Sequence, residues 1–202
     1  MVFPSIYYAF LDPKNIFVQN NFKSSNAIAS GSVNNFHDPN FISAYQNGEI
    51  VWIPEPEYGS KSFGAFIESA LRYFYGSERD AELIRSMYYK SNPSRFSAVY
   101  GFGDYNTCEV VAQKYNWDIN TVKMFRINEH PLNRITKANM EIVSYLRGIY
   151  AGQNGSLLTD DKIVNAWKAY WDGAAWPGAE IGEAPGEPIW EYLIDGVLYL
   201  AE

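Results

Sequence analysis

A chain of 202 residues with 47% hydrophobic and 19% charged side chains can bury a sizeable core, and its composition is far from that of a disordered segment. A formal net charge of −7 with no basic stripe argues against extended binding to a nucleic-acid backbone. The single cysteine, Cys108, excludes an intrachain disulfide and a cysteine-built zinc site, and points to a reducing, cytoplasmic setting.

In chain order, Ser5 to Phe10 reads as a buried first strand rich in aromatics, and Ser24 to Asn35 as a polar surface loop. Asp38 before Pro39 predicts a capped helix that runs through Tyr45 and stops near Gly48. Glu49 to Ile53 reads as a short strand closed by Pro54 and Pro56. Phe63 to Tyr75, ending at Gly76, and Glu78 to Tyr89 have the apolar spacing of two helices. After Pro93, the run Arg95 to Phe102 predicts a central strand, Asn106 to Tyr115 a helix and Thr121 to Ile127 another strand. Cys108, on the apolar side of its helix, is expected to be a buried structural thiol.

Asn139 to Tyr150 and Thr159 to Trp171 read as helices, the second capped by Thr159 with Ile163, Trp167 and Tyr170 on one face. The Gly, Pro, Ala and Glu-rich stretch from Asp172 to Pro188 is long enough for a binding loop. Trp190 to Leu200 reads as a β-hairpin turning at Asp195-Gly196. Together these elements predict one α+β domain over residues 1–202. No run approaches about 18 apolar residues, and no basic-then-apolar leader follows Met1, so neither a membrane span nor a Sec signal is expected, while other delivery routes stay open.

The common phosphate cradles, GxGxxG after a strand and GxxxxGK[ST], are missing. His37 and His130 are the only histidines, which argues against a histidine-built metal site or a Ser-His-Asp triad, and no metal is expected. Most acidic pairs, such as Asp160/Asp161, sit in polar stretches and read as solvated. Glu191 is different: between Trp190 and Tyr192 it is either a buried acid that needs a function, or it lies on the solvent side of the hairpin. Arg95, in Ser94-Arg95-Phe96-Ser97, is either a bidentate clamp for an anionic ligand or the partner of a local carboxylate.

Three stretches resemble the ADP-ribosyltransferase-like superfamily, in particular small bacterial and phage members. They are Ile6-Tyr7-Tyr8-Ala9 on the first strand, Asn92 to Phe102 in mid-chain, and Ala169-Tyr170-Trp171-Asp172-Gly173 followed by the strand from Glu191 to Gly196. The resemblance implies two small, mostly antiparallel sheets forming a split core flanked by helices, with NAD bound as co-substrate in the cleft between them. It also implies that the glycosidic bond to nicotinamide breaks through an oxocarbenium-like state that a glutamate stabilises, as in glycoside hydrolysis. Carried over by position, Glu191 is the catalytic glutamate, and Tyr7, Tyr8, Arg95, Ser97 and Tyr100 bind the NAD. Tyr7 and Tyr8 stand where the family usually has His or Arg, so either an aromatic takes over that contact or catalysis has been lost. The acceptor of ADP-ribose, expected to be a protein side chain, stays open among protein, nucleic acid, small molecule and water, as it would for a toxin or effector. A reading of a different class is a non-catalytic, acidic and aromatic-rich protein-binding module or inhibitor.

Overall fold

A computed structural model describes residues 3–11, 22, 24–53, 68–151, 153, 155–178, 181–184 and 186–201, with the side chains of 68–73 left out. The chain has an α+β architecture. In sequence order the elements are β1 (Ile6–Phe10), β2 (Ala27–Ala29), α1 (Pro39–Gln46), α2 (Glu68–Tyr88), β3 (Val99–Phe102), α3 (Tyr105–Tyr115), β4 (Val122–Ile127), β5 (Arg134–Asn139), α4 (Met140–Tyr150), α5 (Asp161–Trp171), β6 (Trp190–Asp195) and β7 (Val197–Leu200).

Side-chain caps fix several helix starts. The carboxylate of Asp38 accepts from Asn40 N at 2.9 Å, with Pro39 at the first helical position, and Gly48 takes φ +69° just beyond the end of α1. Asp104 caps α3 through Thr107 N, and Asn139 caps α4 through Glu141 N. Helix α5 is capped by Asp160 and not by Thr159, because the Asp160 carboxylate reaches Lys162 N at 2.9 Å. The two helices expected before Pro93 run on as one kinked helix, α2, interrupted at Phe74 (φ −133°, ψ 23°), two residues before the expected break at Gly76. The expected start of the first, Phe63, lies outside the described residues, as do Pro54 and Pro56.

The seven strands form one antiparallel sheet in the order β2-β7-β4-β1-β3-β6-β5, which corrects the expectation of two separate sheets. The join between the expected halves is narrow. Strands β1 and β3 share a single register pair, Tyr8↔Phe102, whereas β1 and β4 share five.

The terminal hairpin is also corrected: β6 pairs with β3 and β5, and β7 with β2 and β4. Four strand spacings separate β6 from β7 in the order, about 19 Å in a flat sheet. Yet Gly196 alone joins them, a span of at most about 7 Å. The sheet must therefore bend until its two ends meet, and Tyr7, Val99, Phe125, Ile194 and Leu198 fill the inside of that bend. Gly196 serves this crossing by close approach and not by a positive φ, since a Cβ there would lie 2.8 Å from Asn133 Oδ1.

Three further sequence readings change. The stretch Ser24 to Asn35 is not a surface loop: it holds β2 and a 3₁₀ turn at Gly31–Asn35, and buries Ala27, Ile28, Ser30 and Ser32. Residues 49–53 form no strand, because the Trp52 N–H donates to the Glu82 carboxylate at 2.9 Å and not to a neighbouring strand. The central strand begins at Val99, four residues later than expected. Helices α2, α4 and α5 cover one face of the sheet, where Ala81, Ile142, Leu146, Trp167 and Leu193 pack together.

Candidate active site

Cross-strand register builds the site's floor. Tyr8 faces Phe102 and Phe102 faces Glu191, so these three side chains share one side of three adjacent strands. Above them, α4 presents Met140, Val143, Ser144 and Arg147 at the 0, 3, 4, 7 spacing of a single helical face. Floor and helix enclose a cavity of about 140 Å³, walled by Phe10, Phe102 and Trp117 and reached by Arg95, Tyr100, Arg147 and Glu191. A cavity of roughly 150 Å³ holds one six-membered ring.

Glu191 is 5% exposed, which decides against the solvent-side alternative. Its Oε1 accepts from Arg95 Nη1 at 3.0 Å and from Tyr170 OH at 2.8 Å. Oε2 accepts no hydrogen bond among the described residues, so one carboxylate oxygen is anchored while the other is open on the cavity side.

Arg95 lies in the turn before β3, held there by Ser94, whose Oγ donates to Glu82 and accepts from Phe96 N. Its Nε donates to Glu78 at 2.7 Å, and Nη1 also meets the Tyr170 hydroxyl. The rings of Tyr100 and Tyr170 lie 5.1 and 5.2 Å from the guanidinium carbon, within cation–π range. Tyr100 OH donates back to Arg95 O at 2.6 Å. Glu78 also receives Arg147 at 2.6 Å. Two carboxylates and two guanidiniums thus form one charge-balanced chain, Arg147–Glu78–Arg95–Glu191.

Burial by itself would raise the Glu78 carboxyl, but Arg95 and Arg147 outweigh it and hold the group down to about 2. Asp195 is less fully compensated: burial raises it above its ordinary value despite hydrogen bonds from Ser32, Tyr45 and Ser97 and the charge of Arg134. The signs are therefore opposite. Protonation of Asp195 as pH falls from neutral is taken up more readily by the folded state and stabilises it. Glu78, whose ordinary value is 4.5, contributes stability that is lost as pH falls from there toward 2, about 3 kcal/mol in all. Thermal denaturation across pH 7 to 2 is expected to show a flat or slightly rising midpoint down to about pH 4.5 and a steep fall below it. A midpoint falling steadily from pH 7 would contradict the pairing of Glu78.

The structure brings Glu191, Arg95 and Tyr100 together, but it does not bring the rest of the expected set with them. Tyr7 is fully buried on the opposite side of the sheet against Tyr192, its hydroxyl without a hydrogen bond among the described residues. Tyr8 lies on the cavity side but packs edge-on against Tyr105, outside the cavity lining. Ser97 donates to Asp195, four residues further along β6 and about 13 Å from Glu191. The contribution of β1 to the cavity is Phe10. Cys108 is buried, and burial pushes its thiol up to about 12.

Glu78, Arg147, Ser144 and Tyr170 had no assigned role from sequence. A signal existed for Glu78: positions 78, 81, 82 and 85 form one helical stripe, so Glu78, Glu82 and Arg85 share the buried face of Ala81. Ser144 and Arg147 likewise interrupt the apolar face of α4. Among the described residues, no group of His, Cys, Asp and Glu side chains is placed to hold a metal ion, and no helix is long and apolar enough to cross a membrane. No protein-family model matches the chain, and a search of curated proteins finds no match.

Proposed function

We propose that the chain cleaves the nicotinamide–ribose bond of NAD and passes ADP-ribose to an acceptor, which is a protein side chain, a nucleic acid, a small molecule or water. One observation carries this reading: Glu191 is anchored through one oxygen by Arg95 and Tyr170 while its second oxygen is open to an aromatic-walled cavity. As the nicotinamide leaves, positive charge develops on the ribose, and a fixed carboxylate in a low-dielectric site stabilises it without reorganising.

The cavity's size matches the nicotinamide ring and not the whole dinucleotide, with Phe10, Phe102 and Trp117 as its apolar walls. Arg95 is committed to Glu78 and Glu191, so its part is to position Glu191. The phosphate contact falls to Arg147, whose side chain is 26% exposed and whose Nη1 makes no hydrogen bond among the described residues. A buried ion network is costly to desolvate and is weak evidence for stability, and holding the Glu191 carboxylate in place at a cavity gives it a purpose.

A second reading is a non-catalytic binding module. It is favoured by the apolar contribution of β1, by the exposed Trp117 in the cavity wall and by the exposed Tyr105 and Val110 on α3. Calorimetric titration with NAD, followed by nicotinamide release on the same sample, separates the two. Saturable binding with release is the expected result. No binding up to millimolar NAD would overturn the enzymatic reading and leave the module.

A further inference from the structure

We infer that Ser144 is a specificity-determining residue that reads the carboxamide of the bound ring as a fixed hydrogen-bond acceptor, an inference that rests on the NAD reading above. The argument is one of proton counting. Glu141 is 2% exposed; its Oε2 accepts from Lys114 Nζ at 2.6 Å and its Oε1 from Tyr115 OH at 2.7 Å. Tyr115 OH also lies 3.0 Å from Ser144 Oγ, but a phenol has a single proton to give.

The carboxylate is the stronger acceptor, and depriving a buried carboxylate of its donor leaves a desolvated charge uncompensated. The Tyr115 proton therefore goes to Glu141, and the short contact to Ser144 is filled by the serine's proton. Burial, together with the bond to Glu141, pushes the Tyr115 phenol up to about 12, so its proton is not lost in the neutral range. Ser144 Oγ is then left with lone pairs only for the cavity it lines.

Apart from Arg147 Nη1, which is given to the phosphate, the cavity's uncommitted polar positions, Ser144 Oγ and Glu191 Oε2, are thus both acceptors. A carboxamide brings N–H donors to such a site, whereas a carboxylate of the same shape brings none. Nor does a carboxylate find a cation without a carboxylate partner: Arg95 already faces Glu78 and Glu191, and Arg147 faces Glu78, with only its Nη1, the phosphate contact, left over. Nicotinamide and nicotinate have the same ring and differ only in this group, which makes them the appropriate probes.

The test is titration of the wild-type protein, Ser144→Ala and Tyr115→Phe with nicotinamide and with nicotinate, and NAD cleavage measured on the same samples. The wild type is expected to prefer nicotinamide by about tenfold or more. Ser144→Ala should lose about five- to tenfold in nicotinamide affinity and raise KM for NAD by a similar factor. Tyr115→Phe should free the serine proton to turn into the cavity and narrow the preference by raising nicotinate affinity, an effect that a merely structural serine would not produce. Equal affinity for both rings, or no binding of either, would overturn the inference, as would a preference unchanged in both variants. NAD cleavage with an amide preference that survives Ser144→Ala removes the serine's role and leaves the reaction standing. An amide preference dependent on Ser144 without NAD cleavage does the reverse.

Discussion

Glu191→Gln is expected to slow nicotinamide release from NAD by about 10²–10³-fold while NAD affinity changes little. Glutamine keeps the shape and one carbonyl oxygen, so Arg95 Nη1 and Tyr170 OH retain an acceptor at the position of Oε1. What disappears is the negative charge on the cavity side. That charge matters most when the ribose becomes cationic and little in the ground state, so the loss should fall on kcat and kcat/KM equally. Single-turnover nicotinamide release and calorimetric NAD binding on the same variant separate the two quantities.

The fold should tolerate this change. Arg95 still has Glu78 as counter-ion at 2.7 Å, so the guanidinium is not left unpaired. A cost of about 1–2 kcal/mol corresponds to a fall in Tm of roughly 2–8 °C for a chain of this length. Full NAD cleavage by Glu191→Gln would remove that residue from the chemistry. Weakened NAD binding with unchanged kcat would make Glu191 a ground-state contact instead.

How much of this could be read in the sequence depended on how local the governing physics is. The capped start at Asp38-Pro39, the Asn106 to Tyr115 helix and the first strand follow from neighbouring residues, and all three are present. The terminal strands show the opposite case. Asp195-Gly196 has the composition of a tight turn, but Gly196 N donates to Ser30 Oγ and its carbonyl accepts from Ser30 N, 166 residues away in the chain. Those long-range bonds, with the close approach of Asn133, carry the chain from β6 to β7 across the bend, and no local pattern encodes them.

Glu49 to Ile53 has strand-like composition, and the Glu82 carboxylate captures its Trp52 amide. The strand β5 went unseen because Arg134, Thr136 and Lys137 mask its alternation, although Thr136, Ala138 and Asn139 are buried against β6. In the site, Glu191 and Arg95 stood out as charged residues in apolar surroundings. Their connection through Glu78 spans the helix–sheet interface, so the sequence did not reveal it; there the ambiguity over Arg95, anionic ligand or local carboxylate, resolves toward carboxylates.

Arg95→Ala is the substitution expected to cost the most stability. It removes the guanidinium that joins Glu78 to Glu191 and the body packed between the rings of Tyr100 and Tyr170. Breaking a buried pair from one side costs about 3–5 kcal/mol, which corresponds to a fall in Tm of roughly 6–20 °C. Glu78 retains Arg147, whereas Glu191 retains only the Tyr170 hydroxyl, so the uncompensated charge is the one on Glu191. Two consequences distinguish this account from simple loss of packing. First, Glu191→Gln, destabilising in the wild type, should become neutral or stabilising in the Arg95→Ala background, because it then removes a buried charge with no partner; a four-variant thermal denaturation cycle measures that change of sign. Second, an unpaired buried carboxylate has its folded-state pKa raised, so the folded variant takes up a proton before the unfolded chain does. Arg95→Ala should therefore recover part of its lost stability as pH is lowered from 7 toward 5, where the wild-type midpoint is nearly flat. If the deficit instead stays constant across that range and the cycle is additive, Arg95 contributes through its packing alone and does not hold Glu191 charged.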